Sequence, residues 1–119
     1  MPNGSQYKRR AFVTISYDPE SGVAVSEDPV YIMRRGEIEW RCQDRDWTVT
    51  VEDDEALFEG GNTVRGERGQ RSSGVVRRDA HGGRSAGRRY KYTVAVAVNG
   101  TTVEKDPEVI VGPEEPDGD

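Results

Sequence analysis

Two side chains in this sequence could act as soft-metal ligands or nucleophiles, His81 in "RRDAHGGRS" and Cys42 in "GEIEWRC", and each is the single residue of its type. An imidazole acting as base or ligand needs a second functional group beside it. No Cys or His adjoins His81, so it is expected to be an exposed residue of a Gly-rich loop. Cys42 alternates with Ile38 and Trp40, which predicts a buried small hydrophobe; a reactive thiol would require exposure and a nearby positive charge. The carboxylates "EDDE" (52–55), with Asp44 and Asp46, offer hard oxygen ligands. They lack the ligand ladder and the fixed Gly and Glu of a calcium loop, so a solvated turn is expected. "GERGQRSSG" has the glycines of a phosphate cradle but neither the Gly-Lys-Ser/Thr ending nor a helix to follow. With no paired acid and base, no nucleophile beside a base and no metal cluster, the sequence predicts a non-catalytic protein without a cofactor.

Charge is distributed more informatively. Residues 65–89 contain eight arginines, Arg65, Arg68, Arg71, Arg77, Arg78, Arg84, Arg88 and Arg89, against Glu67 and Asp79, a local net charge of +6. Since the whole chain carries −5, the remainder carries −11. Such segregation creates a directional field, and the planar guanidinium fork suits carboxylate and phosphate groups. The expectation is a binding or assembly module that engages a protein partner, or a second copy of itself, through this segment. The alternative is nucleic-acid backbone binding, for which Arg-Gly steps at 65–66 and 68–69 speak. The acidic total and the absence of aromatic residues between Phe58 and Tyr90 speak against it. A third reading leaves the arginines to keep a poorly hydrophobic loop solvated and to neutralise the acidic sheet faces and tail.

The elements that must position these residues are strands. Val13, Ile15 and Tyr17 alternate with Thr14 and Ser16, the period-two pattern of a half-buried strand. Ile38, Trp40 and Cys42 share one face; so do Trp47, Val49 and Val51, and so do Tyr90, Tyr92, Val94, Val96 and Val98. The predicted core is Ile38, Trp40, Cys42, Trp47, Val49, Tyr90, Tyr92, Val94 and Val96. Turn residues separate the runs: "DPESG" at 18–22, "EDPV" before a strand "VYIM", and Asn99-Gly100, the type I′ hairpin dipeptide. A single helical turn is expected in "DDEALFEG" (53–60), capped by Asp53 or Asp54. From Gly60 to Gly87, eight glycines in 28 residues predict a long exposed excursion with one strand, "SGVVRR".

These strands and turns imply an all-β, antiparallel Greek-key β-sandwich of about seven to eight strands. Residues 11–111 form the domain, 1–10 a flexible arm and 112–119 a disordered acidic tail. "GEIEWRCQDRDWTVTV", "RRYKYTV" and "PEVIV" together resemble the cupredoxin family, with an immunoglobulin-like sandwich as the alternative. In that resemblance Trp47 stands where the first copper-binding His would be and Val94 stands at the ligand Cys. Residues 95–104 lack the family's second His and its axial Met. A blue-copper centre needs two imidazoles and a thiolate, so one His and one Cys exclude it by counting. The resemblance therefore implies a metal-free sandwich. No apolar run reaches 18 residues and the first ten lead into no apolar stretch, so a soluble, cytoplasmic protein is expected. One unpaired cysteine fits a reducing compartment.

Overall fold

In the computed structural model, which describes residues 6–81 and 87–113, nine strands and one short 3-10 helix form a β-sandwich. The strands are β1 (Lys8–Asp18), β2 (Gly22–Val25), β3 (Val30–Cys42), β4 (Trp47–Val51), β5 (Thr63–Gly66), β6 (Arg71–Val75), β7 (Arg88–Val98), β8 (Thr101–Lys105) and β9 (Glu108–Gly112); the helix is η1 (Arg78–His81). Hydrogen bonds connect them along the path β2-β1-β3-β9-β7-β4-β5, with β6 beside β3 and β8 beside β7. Most pairings are antiparallel, but β1 and β9 each run parallel to β3.

Strand β3 is the axis of the first layer. Along its length β1 covers one edge, while the other edge is shared between β9 at Val30–Met33 and β6 at Glu37–Arg41. "VYIM" and "GEIEWRC" are thus one strand, not two, interrupted where the register shifts between Lys8 and Arg10 of β1. Arg35, at φ 65°, absorbs that irregularity, and Gly36 follows because a Cβ there would lie 2.9 Å from the Met33 carbonyl oxygen. Strand β7 passes between layers: Arg88–Lys91 pair with β9, Tyr92–Val96 pair with β4, and Val94–Val98 pair with β8. The Asn99-Gly100 hairpin has positive φ at both residues, as its sequence predicts.

All nine predicted core residues are buried, together with Val13, Ile15, Leu57 and Phe58. Trp40 is fully enclosed and meets Phe58 and Tyr92 edge-on, with ring centroids 5.7 Å away in each case. Burial pushes the Tyr92 hydroxyl up to about 12, an effect that the nearby Trp40 indole N–H offsets in part. The two groups do not reach hydrogen-bonding geometry, and each lacks a partner. Because the folded protein holds this proton more tightly than the unfolded chain, stability is complete below pH ~10 and falls as the pH rises towards 12. Full deprotonation of the unfolded state alone would cost roughly 2–3 kcal/mol. Alkaline denaturation followed by tryptophan fluorescence should show this loss in the wild type and a much smaller one in Tyr92→Phe.

Three expectations fail in the segment 53–87. Residues 60–81 are not an exposed excursion, and 82–86 lie outside the described residues: β5 completes the second layer and β6 the first, and Val64, Gly66, Gly74, Val76 and Ala80 are buried. Two glycines explain this. A Cβ on Gly66 would stand 2.5 Å from Cζ2 of Trp47, and one on Gly74 would stand 2.7 Å from Cδ1 of Phe58, so each glycine is the socket for an aromatic ring. Residues 53–60 form no helical turn. The Asp53 side chain instead accepts the Glu55 N–H, and Asn62 ties the loop together, accepting from Leu57 N–H and donating to the carbonyls of Asp53 and Glu55. His81 is not exposed but 3% accessible, in η1, where the neighbouring Ala80 carbonyl accepts the Tyr90 hydroxyl. At the termini, β1 already begins at Lys8 and β9 extends through Gly112.

Candidate functional site

Once the strands are in register, the arginines of 65–89 divide into two groups. Arg71 lies 3.6 Å from Glu39, and Arg77 lies 2.7 Å from Asp79 while donating to the Ala56 carbonyl. Arg89 pairs with Glu108. Arg88 reaches Glu55 at 2.8 Å and Asp53 at 3.4 Å, and covers the Tyr90 ring at 4.7 Å. Its side chain is 17% exposed, so this bridge ties the 53–62 loop to β7 more firmly than a solvated surface pair would. Arg78 is exposed in η1, and Arg84 lies outside the described residues. Arg65 and Arg68 differ from these. Both are exposed, and neither guanidinium has a hydrogen bond or ion pair among the described residues.

Arg65 stands on the outer face of the second layer, at the wall of an open groove of about 670 Å³. The cross-strand register explains the groove. Arg65, Thr48, Ala95 and Glu104 form one row across β5, β4, β7 and β8. Three strand spacings, roughly 14 Å, separate the two charged ends, too far for them to pair, and the small side chains between leave a trough. The next row adds Ala97 and Thr102 to its floor. Asp46, Glu67 and Gln70 make the rim. That rim is ordered by its own contacts: Asp46 accepts the Arg68 N–H at 2.9 Å, Gln70 Oε1 accepts the Glu67 N–H at 3.0 Å, and the Gly69 N–H is donated to the Cys42 carbonyl. The arrangement offers a fork of donors, unpaired among the described residues, beside a shallow floor of small alanine and threonine side chains, which suits a carboxylate-bearing surface.

On the opposite face, Arg10 donates to Glu37, which also accepts from Ser73. These two hydrogen bonds, Ser73 first and Arg10 second, hold the Glu37 carboxyl below its ordinary pKa. His81 and Cys42 are both buried, and among the described residues no three His, Cys, Asp or Glu side chains are grouped to hold a metal ion. Trp47 and Val94 are buried on adjacent strands; Trp47 faces Val96 and Val49 faces Val94, so the two are diagonal neighbours on one face, two register positions apart.

The groove was not readable from the sequence because it depends on which small outward residues become neighbours. Phe12 was readable: Ala11, Val13 and Ile15 point inward, so the same alternation sends Phe12 outward, where it is 58% exposed. Comparison with known proteins finds no matching family model and no matching curated relative. Among the described residues no helix is long and apolar enough to cross a membrane.

Proposed function

We propose that this chain is a metal-free, non-catalytic binding module of cupredoxin-like build that docks a protein partner through the Arg65 groove and the adjoining Arg68 turn. The observation that carries this reading is the division of the arginines: those at 71, 77, 88 and 89 neutralise acids of the same chain, whereas Arg65 and Arg68 meet no acid among the described residues. An unpaired guanidinium at a trough wall is a feature that interfaces use and that internal stability does not require. Burial of Trp47 and Val94 at neighbouring positions supports the cupredoxin-like reading, with hydrocarbon and indole where that family grips its ion. A cytoplasmic setting fits the single buried thiol.

Affinity capture from the native host with the full-length chain tests the proposal. A stoichiometric companion should be retained by the wild type and by Arg77→Ala, and lost from Arg65→Glu/Arg68→Glu. Equal capture by the Arg65/Arg68 variant would refute the assignment. Binding of a mixed-sequence oligonucleotide with an affinity that falls steeply with salt would transfer these two arginines to phosphate recognition instead.

A further inference from the structure

The outer face of the first layer carries a second feature, independent of the Arg65 groove. Three cross-strand rows run over β1, β3 and β6: Arg10, Glu37 and Val75; Phe12, Glu39 and Ser73; Thr14, Arg41 and Arg71. In the last row two guanidiniums stand directly opposite each other, an arrangement that like-charge repulsion disfavours. Arg71 leans towards Glu39 at 3.6 Å, and Arg10 pairs with Glu37 at 2.9 Å and lies 5.9 Å from the Phe12 ring centroid. Arg41 has no acid of its own among the described residues. Among the described residues Phe12, 58% exposed, and Val75, 37% exposed, are the two large hydrophobic residues left in solvent, and both belong to this face.

A hollow of about 220 Å³ lies between these groups, bounded by Phe12, Val13, Thr14, Glu39, Arg41 and Arg71. Small-molecule pockets occupy about 300–1,000 Å³, so this one has room for a side chain and not for a cofactor. Counting Arg10, Arg41 and Arg71 against Glu37 and Glu39, the face has one cation in excess, and it stands beside the exposed ring.

We infer that this face docks an extended acidic segment of a partner protein, which seats one aliphatic or aromatic side chain against Phe12 and places a carboxylate between Arg41 and Arg71. A carboxylate there relieves the like-charge row while the apolar residue covers the ring, so a single short segment satisfies both exposed features. A phosphate backbone fits less well, because Glu37 and Glu39 occupy the middle of the face and would repel successive phosphates.

Titration of the 15N-labelled chain, followed by two-dimensional NMR, tests this with the peptides Ac-Asp-Leu-Asp-Leu-NH2 and Ac-Asn-Leu-Asn-Leu-NH2, with inorganic phosphate and with a thymidine octamer. The acidic peptide should shift amides of Phe12, Thr14, Arg41 and Arg71 in a saturable manner. The Asn peptide should bind at least about tenfold more weakly, as should the acidic peptide to Arg41→Ala or to Phe12→Ala. Both positions are solvent-exposed, and retained spectral dispersion reports that each variant folds. Absence of shifts on this face, equal binding of the two peptides, or preference for phosphate or thymidine would overturn the inference.

Discussion

Gly66→Val should lower the unfolding free energy by about 3 kcal/mol, the upper part of the range for overpacked interiors. The new Cβ would stand 2.5, 2.6 and 2.8 Å from Cζ2, Cε2 and Nε1 of Trp47, a rigid ring that is 2% exposed. If 60–87 were a solvated loop, the same substitution would have almost no effect; in a strand free of contacts, valine's β-propensity would even be favourable. Urea denaturation therefore discriminates by sign as well as by size. A smaller partner should rescue: in a double-mutant cycle, Gly66→Ala should be better tolerated beside Trp47→Leu than beside the native indole. Additivity of the two substitutions would mean that the glycine serves some purpose other than making room.

Trp40→Ala should cost about 3–5 kcal/mol, as removal of large buried aromatic residues does. Trp40 touches Phe58 and Tyr92 with ring edges, and Phe58 in turn covers Gly74 of β6. Loss of the indole thus leaves a cavity at the junction of β3, β6 and β7 and frees Phe58 to leave its glycine socket. Tyr92→Phe supplies the contrast. It removes a hydroxyl that is buried without a hydrogen-bond partner while keeping the ring, so its effect at neutral pH should be neutral or slightly stabilising. Equal destabilisation by the two substitutions would contradict the packing described for this core.

The alternating runs were legible because each strand of this sandwich has one buried face, and a period of two survives in the sequence without knowledge of the partner strand. For that reason Ile38, Trp40 and Cys42, or Tyr90 through Val98, could be assigned to the interior directly. Gly66 and Gly74 could not. Their meaning lies in rings far away in the chain, Trp47 and Phe58, and a glycine opposite an indole looks the same in sequence as a glycine in a loop. The Arg-rich segment was misleading for a similar reason. A cluster of like charges suggests one surface, but β5 and β6 belong to different layers, and acids from separate parts of the chain take up the arginines: Glu39 approaches Arg71, Asp53 and Glu55 approach Arg88, and Glu108 approaches Arg89. His81 was placed in a loop because a four-residue 3-10 helix has no periodicity to detect. That Arg65 and Arg41 meet no acid among the described residues became visible only once the cross-strand neighbours of each were known.

Strand β7 hydrogen-bonds first to β9 and then to β4 and β8. Neither layer can therefore peel away from the other without giving up hydrogen bonds of a strand that both require. Amide protons along Tyr90–Val96 should consequently exchange only through global opening, while the short outer strands β2 and β5 exchange through local fraying. A molecule built in this manner responds to stress as one cooperative unit, which keeps the outward faces at fixed separation and orientation for as long as the chain is folded.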